Sequence, residues 1–333
     1  MRAPTRIENQ GLMNNPLPPL DPGSDGLHAA GTDPWWREAW YFEFFDPQTD
    51  LQFQAYQGVF PNASSGDMNA AVFHRGSRVH QLRKMDFHVP PEPVEERLSF
   101  GPMKLEELEP LHRWRIRYDA EDICADLTFT AVHPPFSWAA AKLWMEINTN
   151  AEVGSHHFDQ LGRYEGKFWI EGEEVSVNAL GFRDRMWGWG GRRHWQSYLI
   201  MWAAFNENCV ANIALHRFDD GREALCGYLH LDGNLSLLQH VQANIEWHPH
   251  RWKAIARVTV GVEDALGRNF EFSGRPLGIL DTAHRWPHRN DHMLFSVGEY
   301  QHGAFTGHGV MNWAFSTEAD QLRRFEVQLV TAE

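Results

Sequence analysis

Cysteine is scarce: the 333 residues contain three, Cys124, Cys209 and Cys226. An odd number with no metal-ligand spacing offers no disulfide framework, and free thiols in a reducing cytoplasm are the expectation. Basic residues are also in short supply. Thirty Lys and Arg face 44 Asp and Glu, a net charge of −14 with the histidines neutral. A phosphate backbone needs a basic footprint, so broad nucleic-acid binding is excluded, and electrostatic docking on an anionic membrane is disfavoured. No apolar run approaches the roughly 18 residues of a transmembrane helix. Met1 to Leu20 is polar, rich in Pro and Asn, and has no signal-peptide apolar stretch.

Several chemical signatures are missing too. No Gly-rich phosphate loop follows a strand, and there is no Gly-x-Ser-x-Gly elbow. There is no His-Glu-x-x-His motif, and Asp219-Asp220-Gly221 reads as a hairpin turn rather than an acidic metal cluster. These absences point away from nucleotide-dependent and metal-diphosphate enzymes, and no cofactor or metal is expected. Helical periodicity is absent as well: no stretch keeps a 3.6-residue repeat beyond three turns.

What is present alternates by two. Leu51-Gln52-Phe53-Gln54-Ala55-Tyr56 switches strictly between apolar and polar, the mark of a strand with one buried face. Trp114 to Tyr118 and Ile123 to Ala131 do the same. Hairpins are expected around Arg75-Gly76-Ser77, around Glu171-Gly172-Glu173-Glu174 and at Asp232-Gly233. Further strands are read at 198–205, 210–218, 224–231, 252–263 and 269–273. Pro90 to Pro110 and His133 to Asn150 read as irregular, the second with room for a short helix or a functional loop. Strands every 8 to 12 residues with Asp-Gly turns argue for antiparallel sandwiches or barrels. The chain is read as a disordered tail over 1–32, a first β domain over 33–152 and a second over 153–333, joined at the polar stretch Asn148 to Ser155.

There are 15 Trp and 21 Phe but only 7 Tyr. Large flat residues fill big β cores, and they also line pockets for bulky apolar ligands, including ones that become cationic. The 19 histidines include the pairs His156-His157 and His248-Pro249-His250. A metal site on either pair and plain solvated histidine are both open readings. Adjacent strand residues face opposite ways, so His156 and His157 cannot share a pocket if they lie in a strand.

The richest segment is Gly181-Phe182-Arg183-Asp184-Arg185-Met186-Trp187-Gly188-Trp189-Gly190-Gly191. A carboxylic acid held neutral beside aromatic rings donates a proton well to an alkene or enol, and the ring faces stabilise the cation that forms. The other reading is an Arg-Asp pair pinning a bulged turn. The run from Gly181 to Asp184 followed by Trp187-Gly188 resembles the Gly-Phe-Arg-Asp-His-Ser-Trp-Gly signature of the tandem lipocalin-like superfamily. That group includes the carotenoid 1,2-hydratases and the AttH-like proteins. Trp40 to Phe44, Leu111 to Ile116 and His157 to Arg163 resemble other strands of the same group, over roughly residues 35 to 315.

The resemblance implies an all-β fold of two lipocalin-like antiparallel β-barrel or sandwich domains packed side by side, with a ligand in a barrel mouth or between them. It implies that Asp184 matches the acid that protonates an isolated double bond in the hydratases. Phe182 stands where the carotenoid hydratases have Tyr, Arg185 where they have His, and Met186 where they have Asn or Ser. A relative that protonates and lets the cation cyclise or lose a proton tolerates those changes better than a hydratase. The expected function is therefore acid–base chemistry on a hydrophobic isoprenoid, steroid or polyketide, by hydration, cyclisation or isomerisation, without a cofactor. Asp184 is the candidate acid, with His156 or His157 as its partner or base. Phe182, Arg183, Trp187, Trp189 and Trp202 are the candidate substrate-binding residues. A non-catalytic carrier of an apolar molecule is the alternative, and a homodimer is compatible with the sequence.

Overall fold

The computed structural model describes residues 19–34, 36–89, 98–138, 155–189, 195–218, 221, 223–251, 253–286 and 289–316. Among them the secondary structure is strand, apart from two short 3-10 turns at Pro22–Ser24 and Pro61–Ala63. No described helix is long and apolar enough to cross a membrane. The chain forms two compact units, Pro18–Gly191 and Arg192 onward.

The first unit contains β1 (Trp36–Asp46), β2 (Leu51–Phe60), β3 (Ser65–His74), β4 (Ser77–His88), β5 (Ser99–Phe100), β6 (Met103–Glu109), β7 (Arg113–Ala120), β8 (Ile123–Ala131), β9 (Phe136–Ser137), β10 (Ser155–Ile170) and β11 (Glu173–Trp189). They make one sheet in the order β4-β3-β2-β1-β11-β10-β8-β7-β6-β5, with β9 beside β10. The sheet curls so that one face becomes a core. Trp40, Phe42 and Phe44 of β1 meet Phe53 of β2 and Trp114, Ile116 and Tyr118 of β7. The two ends of the curl meet where His80 Nε2 lies 2.7 Å from the Tyr118 hydroxyl and where Phe87 and Phe100 sit 5.3 Å apart, ring to ring.

The second unit contains β12 (Trp195–Asn206), β13 (Cys209–Phe218), β14 (Glu223–Leu231), β15 (Asn234–Trp247), β16 (Ile255–Asp264), β17 (Asn269–Trp286), β18 (Arg289–His302) and β19 (Phe305–Ser316). It is a closed barrel. Met201, Ile213, Val258, Phe272 and Trp313 are in its apolar core. Two antiparallel lipocalin-like β units are thus present.

Turn chemistry behaves as the residues dictate. Glu171 and Gly172 take φ of 51° and 86°, and Asp232 and Gly233 take 52° and 79°. Two positive φ values in a row are what a tight hairpin of the primed type needs.

Four features depart from the sequence reading. Strands β10 and β11 hydrogen-bond to β8 and β1, so the first unit runs on past Asn148 to Ser155 as far as Gly191. Cross-strand bonding outweighs a polar stretch as a boundary. The expected tail is corrected over 19–32: Asp25 is fully buried, because its carboxylate neutralises a core arginine. Residues 1–18 lie outside the described residues. Strands β5 and β6 fall inside the stretch read as irregular. Finally, β2 was expected to bury one face. Both are buried, Gln52 to 2 % and Gln54 to 1 % exposure.

Candidate functional site

Strand register decides which side chains share a face. On β11, Asp184 pairs with Tyr41 of β1 and with Asp159 of β10. Side chains at directly paired positions project to the same side. Residues 182, 184 and 186 of β11 therefore share a side with Tyr41, Asp159 and His157. Residues 183, 185 and 187 point the other way, into the curl.

On Asp184's side, His157 Nε2 lies 3.0 Å from Asp184 Oδ2. The histidine side chain is 6 % exposed and the carboxylate 23 %, so the pair is sheltered with the acid reachable. The His157 ring stacks on Trp138, centroids 4.3 Å apart at 28°. The Trp138 indole N–H donates to Asp159 Oδ2 at 2.7 Å. Trp138 thus fixes the imidazole from one face while Asp159 fixes Trp138, an arrangement that orients one nitrogen onto the acid. Phe182 is fully buried on the same side. The Tyr41 hydroxyl donates to Glu43 Oε2. Burial pushes the Glu43 carboxyl well above the ordinary range, and the tyrosine bond only partly opposes it.

Inside the curl the residues serve a different end. Arg183 Nη1 and Nη2 donate to the two oxygens of Asp25 at 2.6 and 2.9 Å. Its Nε donates to Gln160 Oε1 at 2.9 Å. Asp25 Oδ2 also accepts the Trp114 indole N–H at 2.9 Å and the Leu111 backbone N–H at 2.5 Å. Arg185 pairs with Glu38 and sits 4.2 Å over the Trp40 ring. Burial pushes the Glu38 carboxyl up, but Arg185 and His28 outweigh it and hold it below its ordinary value. Trp187 is sandwiched between His28 and His156, at centroid distances of 4.3 and 4.7 Å. Burial, with the nearby His28 charge, lowers the His156 pKa.

The candidate residues are therefore divided. Asp184, His157 and Phe182 share one side, whereas Arg183, Trp187 and His156 lie on the other. Strand parity separates the two histidines as expected. Arg183 is fully buried and engaged by Asp25 and Gln160, leaving no surface for a ligand. Neither arginine beside Asp184 forms an ion pair with it in the way the pinned-turn reading required, because each is neutralised by a carboxylate inside the curl. The segment is continuous strand through Trp189, whose backbone pairs with Trp36 and whose side chain is outside the described part. Trp202 belongs to the second unit, on the side of β12 away from that barrel's core, 2 % exposed.

At the mouth of the closed barrel, a cavity lined by Tyr198, His216, Trp247 and Trp313 holds about 30 Å³ of free space. That is room for about two water molecules, far short of a small-molecule pocket. Tyr41, Trp138 and Asp159 were missed in the sequence. The spacing of two between His157 and Asp159 was the available signal for the last, since it puts both on one strand face. Nothing local points to Tyr41 or Trp138.

A model for a domain of unknown function (DUF7064) matches residues 21–317. No curated protein matches the sequence. Three solved structures are similar in fold. Kievitone hydratase from Nectria haematococca superposes with a TM-score of 0.62 at 10 % identity, covering 91 % of this chain and 95 % of that one. An AttH-like protein from Nitrosomonas europaea gives 0.58 at 15 % identity, covering 90 % and 98 %. CghA with Sch210972 gives 0.58 at 13 % identity, covering 88 % and 94 %. At 10–15 % identity these likenesses show a shared fold.

Proposed function

Because this chain belongs to the family of the domain of unknown function DUF7064, whose name leaves the chemistry open, we propose from the site itself that the protein is an acid–base enzyme that protonates a carbon–carbon double bond of a hydrophobic small molecule. The observation that carries this reading is the sheltered Asp184–His157 pair, 3.0 Å apart, at the signature position of a fold similar to that of kievitone hydratase.

The Asp184 carboxyl gives its proton to the alkene carbon, a C–H bond forms, and the tertiary cation is left facing a carboxylate. Three outcomes balance. Water attacks the cation and its extra proton passes to Asp184 or His157. A second double bond attacks and closes a ring, with a proton lost afterwards. Or a neighbouring C–H proton returns to the carboxylate and the double bond has moved. His157, held against Trp138, is the group that passes protons to and from Asp184 Oδ2. Tyr41, directly across from Asp184, supplies a hydroxyl on this side although position 182 is Phe. No step needs a redox partner. An isoprenoid, steroid or polyketide substrate fits this chemistry.

The test is deuterium uptake from heavy water by prenylated phenols and steroids, after native mass spectrometry of protein from its own host has indicated the class of any bound molecule. Wild type should place one deuteron on carbon per turnover. Asp184→Asn should lose about 10²–10⁴ of the rate and keep binding the same compound. Equal turnover in both proteins would remove Asp184 as the acid. Binding with no turnover in either is what a carrier gives.

A further inference from the structure

On β11 the candidate acid stands between two cations, Arg183 and Arg185, which strand alternation turns to the opposite face. A guanidinium left bare there would favour the deprotonated form of any acid near it. Side chains of an arginine and an aspartate that reach away from adjacent strand residues put their charges about 10 Å apart, where one charge is worth about one pH unit at an effective dielectric of about 20. Neither arginine is bare. Asp25 takes two bonds from Arg183 and Glu38 pairs with Arg185, and all four side chains are 0 % exposed. The other titratable groups near the arginines are His28, 3.2 Å from Arg185, His156 across the Trp187 ring, and Glu107 and Tyr164, on both of which the Arg183 charge acts. On the Asp184 side the first unit brings His157 and Asp159 from β10 and Tyr41 and Glu43 from β1. Arg37 of β1 donates to the Tyr56 hydroxyl and to Met186 Sδ.

We propose that Asp25 and Glu38 are counter-charge residues for the candidate acid: they cancel Arg183 and Arg185 from behind the sheet, so that the Asp184–His157 pair keeps a proton to give. They touch no reacting atom and act through the arginines, as positioning residues for charge. The use made of the proton rests on the acid reading of Asp184, whereas the charge balance rests on the two buried pairs alone, which lie wholly within the first unit. Both members of the Asp184–His157 pair answer to a stray cation in the same sense, since positive charge favours ionised aspartate and neutral histidine alike. The sign of the effect is therefore the same whichever of the two holds the proton. The arginines have work of their own, because Arg185 Nε donates to the Asp25 carbonyl at 3.1 Å and Arg183 holds the Asp25 carboxylate. Each arginine thus anchors the segment before β1 while its carboxylate partner keeps the anchor's charge out of the site.

Carbon-13 NMR of the full chain labelled at the aspartate carboxyl carbons reads the titration directly, the Asp184 signal being the one lost in Asp184→Asn. Ring-labelled histidine reads His157 in the same way. Asp25→Asn strands the charge of Arg183 and should move both midpoints down by about 1 pH unit. Glu38→Gln should do the same through Arg185, so that either variant decides if the other fails to fold. Asp25→Glu keeps the charge and should leave the midpoints in place. The sharpest variant joins Asp25→Leu to Arg183→Met, which removes both charges; apolar replacements of this kind commonly match a buried ion pair in stability. Its midpoints should return to within about 0.3 unit of wild type. A pair that served only to hold the segment before β1 would disturb the site at least as much in the double variant as in the single one. Midpoints that stay put in the single variants, or that fall as far in the double variant as in Asp25→Asn, would overturn the proposal. In deuterium uptake, the pH at which the rate is lost should fall by the same amount in Asp25→Asn. If wild type takes up no deuterium, the acid reading fails and the NMR midpoints still judge the charge balance. If uptake depends on Asp184 and the midpoints do not move, the charge balance alone fails.

Discussion

The two β units solve the same packing problem with different materials. The closed barrel fills its interior with aliphatic and aromatic side chains such as Leu294, Val258 and Trp313. The curled sheet of the first unit stays open between β4 and β5 in its strand order and buries two arginines with Asp25 and Glu38 among tryptophans. Its second face is buried as well, yet carries Glu43, Gln54, Asn69 and Asp159. An apolar core is the simpler way to gain stability, since a buried ion pair commonly gives no net advantage over well-packed apolar residues. In the curled sheet, the buried ion pairs are placed where they fix geometry. The second barrel is not free of polar burial: Asn212 is buried on the outward side with its amide unbonded.

The contrast implies that removing one charge should damage the first unit alone. Asp25→Asn leaves Arg183 uncompensated in the core and should cost about 3–5 kcal/mol. Hydrogen exchange should reveal it in β10 and β11 while β12 to β19 keep their protection. Uniform loss across both units would break the comparison. The reciprocal change, Leu294→Ala, makes a cavity in the second core, 1 % exposed in wild type, and should cost about 2–5 kcal/mol. Here β16 to β19 should exchange faster and the Asp184 side should be unaffected.

A smaller effect should come from pH. Glu43 keeps its proton in the folded chain well above the ordinary value of 4.5. Between that value and the raised one, the native state binds more protons than the unfolded state. Glu43's contribution is thus fully present below 4.5 and is lost as pH rises toward the raised value. Urea titrations of Glu43→Gln should give a flatter stability curve above 4.5 than wild type, and identical slopes would show that the acid is not held neutral. The smallest effect belongs to the Arg75–Glu173 pair, whose side chains are 68 % and 56 % exposed. Arg75→Ala should move the melting curve by no more than about 1 kcal/mol, marking how little the surface contributes beside the buried pairs.

Much of the strand content was legible because side-chain alternation is a local signal. Leu51, Phe53 and Ala55 face the core as their spacing requires, and Glu171-Gly172 turns as its composition requires. That His157 and Asp184 can share a strand face, and His156 cannot, was legible through strand parity. The rest is non-local. Nothing in Pro22-Gly23-Ser24-Asp25 tells that its carboxylate belongs beside Arg183. Nothing in the alternation of β2 tells that its glutamines are covered. Trp187 looked like a wall for Asp184 because the two are close in sequence, but an odd spacing on a strand puts them on opposite sides.

The Asp25–Arg183 bond spans 158 residues, and this has a bearing on synthesis. At about 5–20 residues per second, roughly 8–30 s separate the appearance of the carboxylate from that of its arginine. During that interval β1 also lacks β11, its neighbour on one side, so an aromatic strand from Trp36 to Asp46 waits with an unpaired edge. The first unit cannot close until β11 has left the ribosome. The edge of β1 that β11 covers thus reaches its native partner late.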